Sequence, residues 1–156
     1  MRFHLVDRIT AWHPGEKAEG LKAVARTEVD LLPRTLLIES LAQLSSFLLG
    51  DSEARGGRQV LSLMTSVDRM RWHTDLHAGE RARLQAHILG RRPEGAKVAV
   101  SAHVGDRTVA EGQLGFVFFA AESDAQVRDF AWTYELLLQL SSACTVGDPP
   151  RREVFA

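Results

Sequence analysis

Cysteine is almost absent from this sequence. Cys144 stands alone, so no intrachain disulfide can form and a reducing compartment is the natural setting. It lies in a small, polar stretch (Ser141-Ser142-Ala143-Cys144-Thr145) that offers nothing to activate a nucleophile. An excess of charge is missing too. The 19 basic and 20 acidic side chains leave a net charge of -1, which removes the electrostatic case for nucleic acid. No apolar run approaches the ~20 residues of a membrane span, and none follows a basic start as a signal peptide would. These absences predict a cytoplasmic protein. Internal repeats and low-complexity linkers are also lacking. What remains is 156 residues, 45% apolar and 25% charged, which fits one globular domain with a real core.

The strongest apolar stretch spans residues 31–49 and includes Leu36, Leu37, Ile38, Leu41, Ala42, Leu44, Phe47 and Leu48. Pro33 suits a first helical turn and Gly50 a stop, so one helix is predicted over 32–50. Apolar on nearly all sides, it is expected to be buried from all sides. Two flanking segments alternate instead. Ala82, Leu84, Ala86 and Ile88 interleave with Arg81, Arg83, Gln85 and His87; Val98, Val100, Ala102 and Val104 interleave with Lys97, Ser101 and His103. Period two with one apolar face means half-buried antiparallel strands, here over 80–88 and 96–104. Arg92-Pro93-Glu94-Gly95 and Gly105-Asp106 supply turn chemistry. Further strands are expected over 3–11, 17–25, 60–71 and 108–119, and a second helix over 124–140, with Val127, Phe130, Ala131, Tyr134 and Leu137 or Leu138 at helical spacing. The pattern implies an α+β fold: an antiparallel sheet of about five to seven strands wrapped around one long helix. Residues 1–122 would form the domain, and 123–156 a C-terminal helical extension packed on it. A single-helix wrap leaves sheet edges exposed, so pairing with a second copy, edge to edge, is expected.

Several short motifs in the right order carry a family resemblance. Leu5-Val6-Asp7-Arg8 resembles the L-V-D-R opening strand of the 3-hydroxyacyl-acyl-carrier-protein dehydratases, and His13-Pro14-Gly15-Glu16-Lys17 resembles their E-P-G-K-R turn. Leu36-Leu37-Ile38-Glu39-Ser40-Leu41-Ala42-Gln43 is similar to their central-helix signature L-I-I-E-A-x-A-Q. Val67-Asp68-Arg69-Met70-Arg71-Trp72 and Ala78-Gly79-Glu80 resemble their I-D-x-x-R-F and P-G-D pieces, so the match runs over residues 3 to 119. The resemblance implies a hot-dog fold and a dimer with a thioester tunnel between subunits. It implies no cofactor beyond the acyl thioester carried on the phosphopantetheine of an acyl carrier protein or of coenzyme A. One departure stands out. The family's H-F-P-G-x-P-x-M-P-G loop, whose first histidine is the catalytic base, is replaced by Arg26-Thr27-Glu28-Val29-Asp30-Leu31-Leu32-Pro33-Arg34. The histidine is gone, the loop is shorter, and Arg34 stands where the family has the helix-opening glycine.

Dehydration of a 3-hydroxyacyl thioester removes a proton alpha to the carbonyl and protonates the departing hydroxyl. By resemblance, Glu39 is the acid of this pair. Independently, it is the only ionisable residue inside the predicted apolar helix, where desolvation is expected to raise its pKa. Thr35, Gln43 and Ser46 follow at helical spacing along the same face and are the candidate substrate-binding residues. The structural alternative is that Glu39 and Gln43 only hydrogen-bond sheet backbone.

Other polar groups carry less. His73, Asp75 and His77 alternate as metal ligands on a strand might, but without a fourth ligand they read as a solvated turn. His13 falls in the Pro-Gly turn, and His87 and His103 on polar strand faces. Arg55 and Arg58, flanking Gly56-Gly57, either sit in a solvated loop or meet an acidic carrier protein or a phosphopantetheine phosphate. Three functional expectations follow. The first is a degenerate dehydratase-like protein of fatty-acid or polyketide metabolism that lends Glu39 to a histidine-bearing homologue. The others are a hot-dog thioesterase using Glu39 alone, or a non-catalytic binder of acyl thioesters.

Overall fold

The structure is a computed structural model, described for residues 5–26 and 30–120. The second helix expected over 124–140 and the extension 123–156 lie outside the described residues. Six antiparallel strands form one sheet: β1 (Arg8–His13), β2 (Lys17–Ala23), β3 (Val60–Trp72), β4 (Arg81–Arg92), β5 (Gly95–Val104) and β6 (Arg107–Ala120). Their order across the sheet is β1-β2-β4-β5-β6-β3, which leaves β1 and β3 as edges without a partner strand among the described residues. The one helix among the described residues, α1 (Arg34–Arg55), packs on β2, β3, β4 and β5. This is the hot-dog architecture.

The alternating segments behave as their pattern requires. Ala82, Leu84 and Ala86 of β4, with Val98, Val100 and Ala102 of β5, point under the helix and are buried. Trp12, Leu114, Leu41, Leu44 and Leu48 are fully excluded from water in the same core. Tight turns follow the glycines that were read as punctuation: Gly15 (φ 71°) between β1 and β2, and Gly105 (φ 57°) between β5 and β6. β1 begins at Arg8, later than the strand expected over 3–11, and it extends through His13, so only residues 14–16 make the turn.

The helix differs from expectation in two respects. It runs past Gly50, which is buried within it, and stops at Gly56 and Gly57, the latter at φ 83°. Asp51, Ser52 and Glu53, polar residues that suggest an exit from the core, are instead buried members of the last turns. Nor is the helix enclosed on all sides. Thr35, Leu36 and Glu39 are exposed, and Gln43 and Ser46 are half-buried, so the predicted polar stripe is its open face. The apolar face is covered by the sheet; the stripe is left for something else. Buried hydroxyls on the covered side are satisfied locally: Ser40 Oγ donates to the Leu36 carbonyl and Ser45 Oγ to the Leu41 carbonyl, each at 2.8 Å.

Candidate functional site

Glu39 stands in the second turn of α1, on the open face. Its carboxylate oxygen Oε1 accepts a hydrogen bond from Gln43 Nε2 at 3.2 Å, one helical turn on. The amide oxygen of Gln43 in turn accepts from the backbone N–H of Leu5 at 2.9 Å, so the segment before β1 fixes which way the amide faces. The exposure of Glu39 overturns the premise of the desolvation argument: within a single chain this side chain is not buried. Nor is it the only acid in the helix, since Asp51 and Glu53 lie deeper in the core. Of the candidate substrate residues, Gln43 is tied to Glu39 by a direct hydrogen bond, while Thr35 and Ser46 share its face one turn before and two turns after.

The entrance to the helix is held by backbone pairing. Leu32 N donates to the Leu76 carbonyl at 2.8 Å and Ala78 N to the Asp30 carbonyl at 3.0 Å, with Leu31 bridged to His77. This short ladder holds the segment that replaces the family's histidine loop. Arg34 begins the helix with its guanidinium 4.9 Å above the Trp72 ring and Nε 3.0 Å from Asp75 Oδ1. The side chain is thus held against Trp72 and Asp75 at the mouth of the helix. Glu80 accepts from the His77 N–H at 2.8 Å and pairs with Arg107, closing the turn at Gly79 (φ 83°).

The alternating trio does not converge. His73 Nε2 lies 3.2 Å from Glu111 Oε1, Asp75 is taken by Arg34, and His77 is exposed. Arg55 closes α1 and Arg58 follows in an exposed loop, as the sequence suggests for Arg58, but both guanidiniums are ion-paired. Arg55 Nε pairs with the buried Asp51 Oδ2 at 2.9 Å, and Arg58 Nη1 with Glu53 Oε2 at 3.0 Å. Arg91 joins Glu53 from the β4–β5 hairpin at 3.7 Å. Sequence reasoning missed these anchoring carboxylates because their partners come from the other end of the helix turn and from a hairpin far along the chain. His103 is also engaged, with Nε2 at 3.0 Å from Ser101 Oγ and Nδ1 at 3.2 Å from Thr108 Oγ1.

No family profile matches the chain. Curated relatives do. The 3-hydroxyacyl-acyl-carrier-protein dehydratase FabZ of Geobacillus thermodenitrificans is 32% identical over 123 residues, covering 73% of this chain and 83% of that protein. Among solved structures, the dehydratase heterocomplex ApeI:P of Xenorhabdus doucetiae superposes with a TM-score of 0.63 at 13% identity, covering 79% of this chain and 88% of that one. Zebrafish thioesterase superfamily member 2 superposes with a TM-score of 0.59 at 15% identity, covering 70% and 78%. The fold and the curated relatives together define a hot-dog protein of the acyl-thioester class. More narrowly, the chain belongs to the FabZ-like 3-hydroxyacyl-acyl-carrier-protein dehydratase family.

Proposed function

We infer that this chain is a dehydratase subunit that works in partnership, supplying Glu39 to a composite site whose histidine comes from a homologous chain. The observation that carries this reading is the oriented, exposed Glu39 on a helix face left open among the described residues. The sequence before that helix, from Arg26 to Arg34, contains no histidine. In such a site the partner's imidazole takes the proton alpha to the thioester carbonyl and Glu39 delivers one to the departing 3-hydroxyl, so that water leaves and a 2-enoyl thioester remains. Because Gln43 occupies Oε1 as a donor, the transferable proton belongs on Oε2. The β3 edge, 13 residues long with Leu63 58% exposed, is the surface through which a second sheet would join. The acyl group would arrive on an acyl carrier protein or on coenzyme A.

The test uses a histidine-bearing FabZ-type partner whose own acid has been replaced, so that neither protein alone has a complete pair. Mixing should restore dehydration of a 3-hydroxyacyl thioester. Glu39→Gln should then lower it by ~10²–10⁴-fold with an unchanged melting curve. Enzyme-like turnover by this chain alone, lost in His77→Ala, would overturn the reading. The resemblance to a thioesterase structure and the accessibility of Glu39 favour one second reading: hydrolysis of acyl thioesters by this chain alone, abolished by the same Glu39→Gln change.

A further inference from the structure

The face of the sheet turned away from α1 carries a groove of about 550 Å³, within the ordinary size of small-ligand sites. Its floor is built by strand register. Lys17, His87, Ala99 and Gln113 form one row across β2, β4, β5 and β6, and Glu19, Gln85, Ser101 and Glu111 form the next. The alternate row, Ala18, Ala86 and Val100, faces the helix and is buried. The groove is therefore separated from Glu39 by the thickness of the sheet.

Three cations line it: Lys17 at one end, and Arg69 and Arg71 at the other. Among the described residues none of the three has a side-chain hydrogen-bond or ion-pair partner. The two carboxylates of the lining are already engaged, Glu19 by Gln85 Nε2 at 2.8 Å and Glu111 by His73 at 3.2 Å. The arginine end is also where the backbone departs from the regular pleat. β3 is irregular between Asp68 and Arg71, and Arg69 sits at φ 53°, a left-handed conformation that a long side chain rarely adopts. Such strain collects where a side chain must be aimed. Four strand spacings separate β2 from β3, roughly 19 Å, and between them lie the Gln113 amide and a hydrogen-bonded chain in which Ser101 Oγ donates to Gln85 Oε1 at 3.2 Å, leaving the second Gln85 N–H for a ligand.

We propose that this outer groove binds a phosphate ester, its phosphate on Arg69 and Arg71 and its hydroxyl- or amide-bearing body along Gln113, Ser101 and Gln85. Two guanidiniums lining the same end of the groove suit a phosphate, and the neutral polar middle suits an uncharged body. The ester is either a phosphopantetheine-type arm or a free phosphorylated sugar.

Calorimetric titration of the full chain with 4′-phosphopantetheine and, separately, with ribose 5-phosphate tests this. One of the two probes should bind, more weakly as salt rises, and which one binds assigns the source. Arg69→Gln with Arg71→Gln should weaken that binding by roughly tenfold or more, whereas Glu39→Gln should leave it unchanged. Arg69→Gly removes the guanidinium and suits the left-handed backbone, so it should lose affinity while keeping the wild-type melting temperature or raising it. Absence of binding for both probes at millimolar concentration, or equal binding by the double arginine variant, would overturn the proposal.

Discussion

Replacing Arg55 by methionine keeps much of the stem and removes the guanidinium that faces Asp51. Asp51 is fully buried, its Oδ2 accepting from Arg55 Nε at 2.9 Å and from Trp12 Nε1 at 3.3 Å. Its other oxygen, Oδ1, has no partner among the described residues. The variant therefore strands a buried carboxylate on a single neutral donor. Removing one member of a buried pair costs ~3–5 kcal/mol. The Arg55 side chain is 27% exposed, so part of its attraction is already screened, and the lower end, ~3 kcal/mol, is expected. For a chain of this size that corresponds to a melting temperature lower by roughly 6–12 °C. Circular dichroism melts at fixed protein concentration would measure it, because any association shifts the midpoint. The double variant Arg55→Met with Asp51→Asn abolishes the orphaned charge and should recover a large part of the loss, giving a coupling energy well above ~0.5 kcal/mol. If Arg55→Met melts within ~0.5 kcal/mol of the wild type, Asp51 does not depend on the pair and behaves as an ordinary surface acid.

Three further outcomes are expected. Gly95→Ala would place a Cβ 2.1 Å from the Phe116 carbonyl oxygen, so the β5–β6 pairing must open; a loss of ~1–3 kcal/mol in urea denaturation is expected, and a neutral result would mean the hairpin is looser than described. Trp12→Phe keeps a buried ring but removes the Nε1 donor to Asp51, and should cost ~1–3 kcal/mol in the same assay. Leu63→Glu puts a like charge on each copy at the exposed β3 edge and should shift light scattering from dimer to monomer at micromolar concentration; a wild-type protein already monomeric there would remove the edge-pairing idea.

The parts of the fold that were legible in the sequence are those whose signal is local. Alternation over 81–88 and 98–104 reports one wet and one dry face, and Pro93-Glu94 and Gly105-Asp106 are turns on their own chemistry. The helix end was not legible, because Gly50 looks like a stop and Asp51-Ser52-Glu53 looks like solvent. Their burial depends on Trp12, 39 residues away, and on Arg91 from the β4–β5 hairpin. The same limit applies to the site. The spacing of Thr35, Glu39, Gln43 and Ser46 showed that they share a face, yet only the sheet decides whether that face is covered. Arg69 and Arg71 were legible as a motif, but the backbone irregularity that places them in a groove has no signature in residue type.

One helix carries three carboxylates, and the way each is partnered bears on what Glu39 is for. Asp51 and Glu53, both buried, are matched by guanidiniums from Arg55, Arg58 and Arg91. Such pairing offsets the cost of burying a carboxylate that serves the fold, since an unmatched buried charge is costly. Glu39 has no cation within reach among the described residues. It is held only by an amide, and that amide is itself fixed by a backbone N–H. A neutral donor fixes the direction of the carboxyl group without neutralising it as a guanidinium would. On the proposed composite site, a partner chain laid over the open helix face would exclude water from around that carboxyl group. The exclusion of water that the single chain lacks at Glu39 is thus what association would supply on that proposal, with Gln43 already holding the carboxyl group in direction.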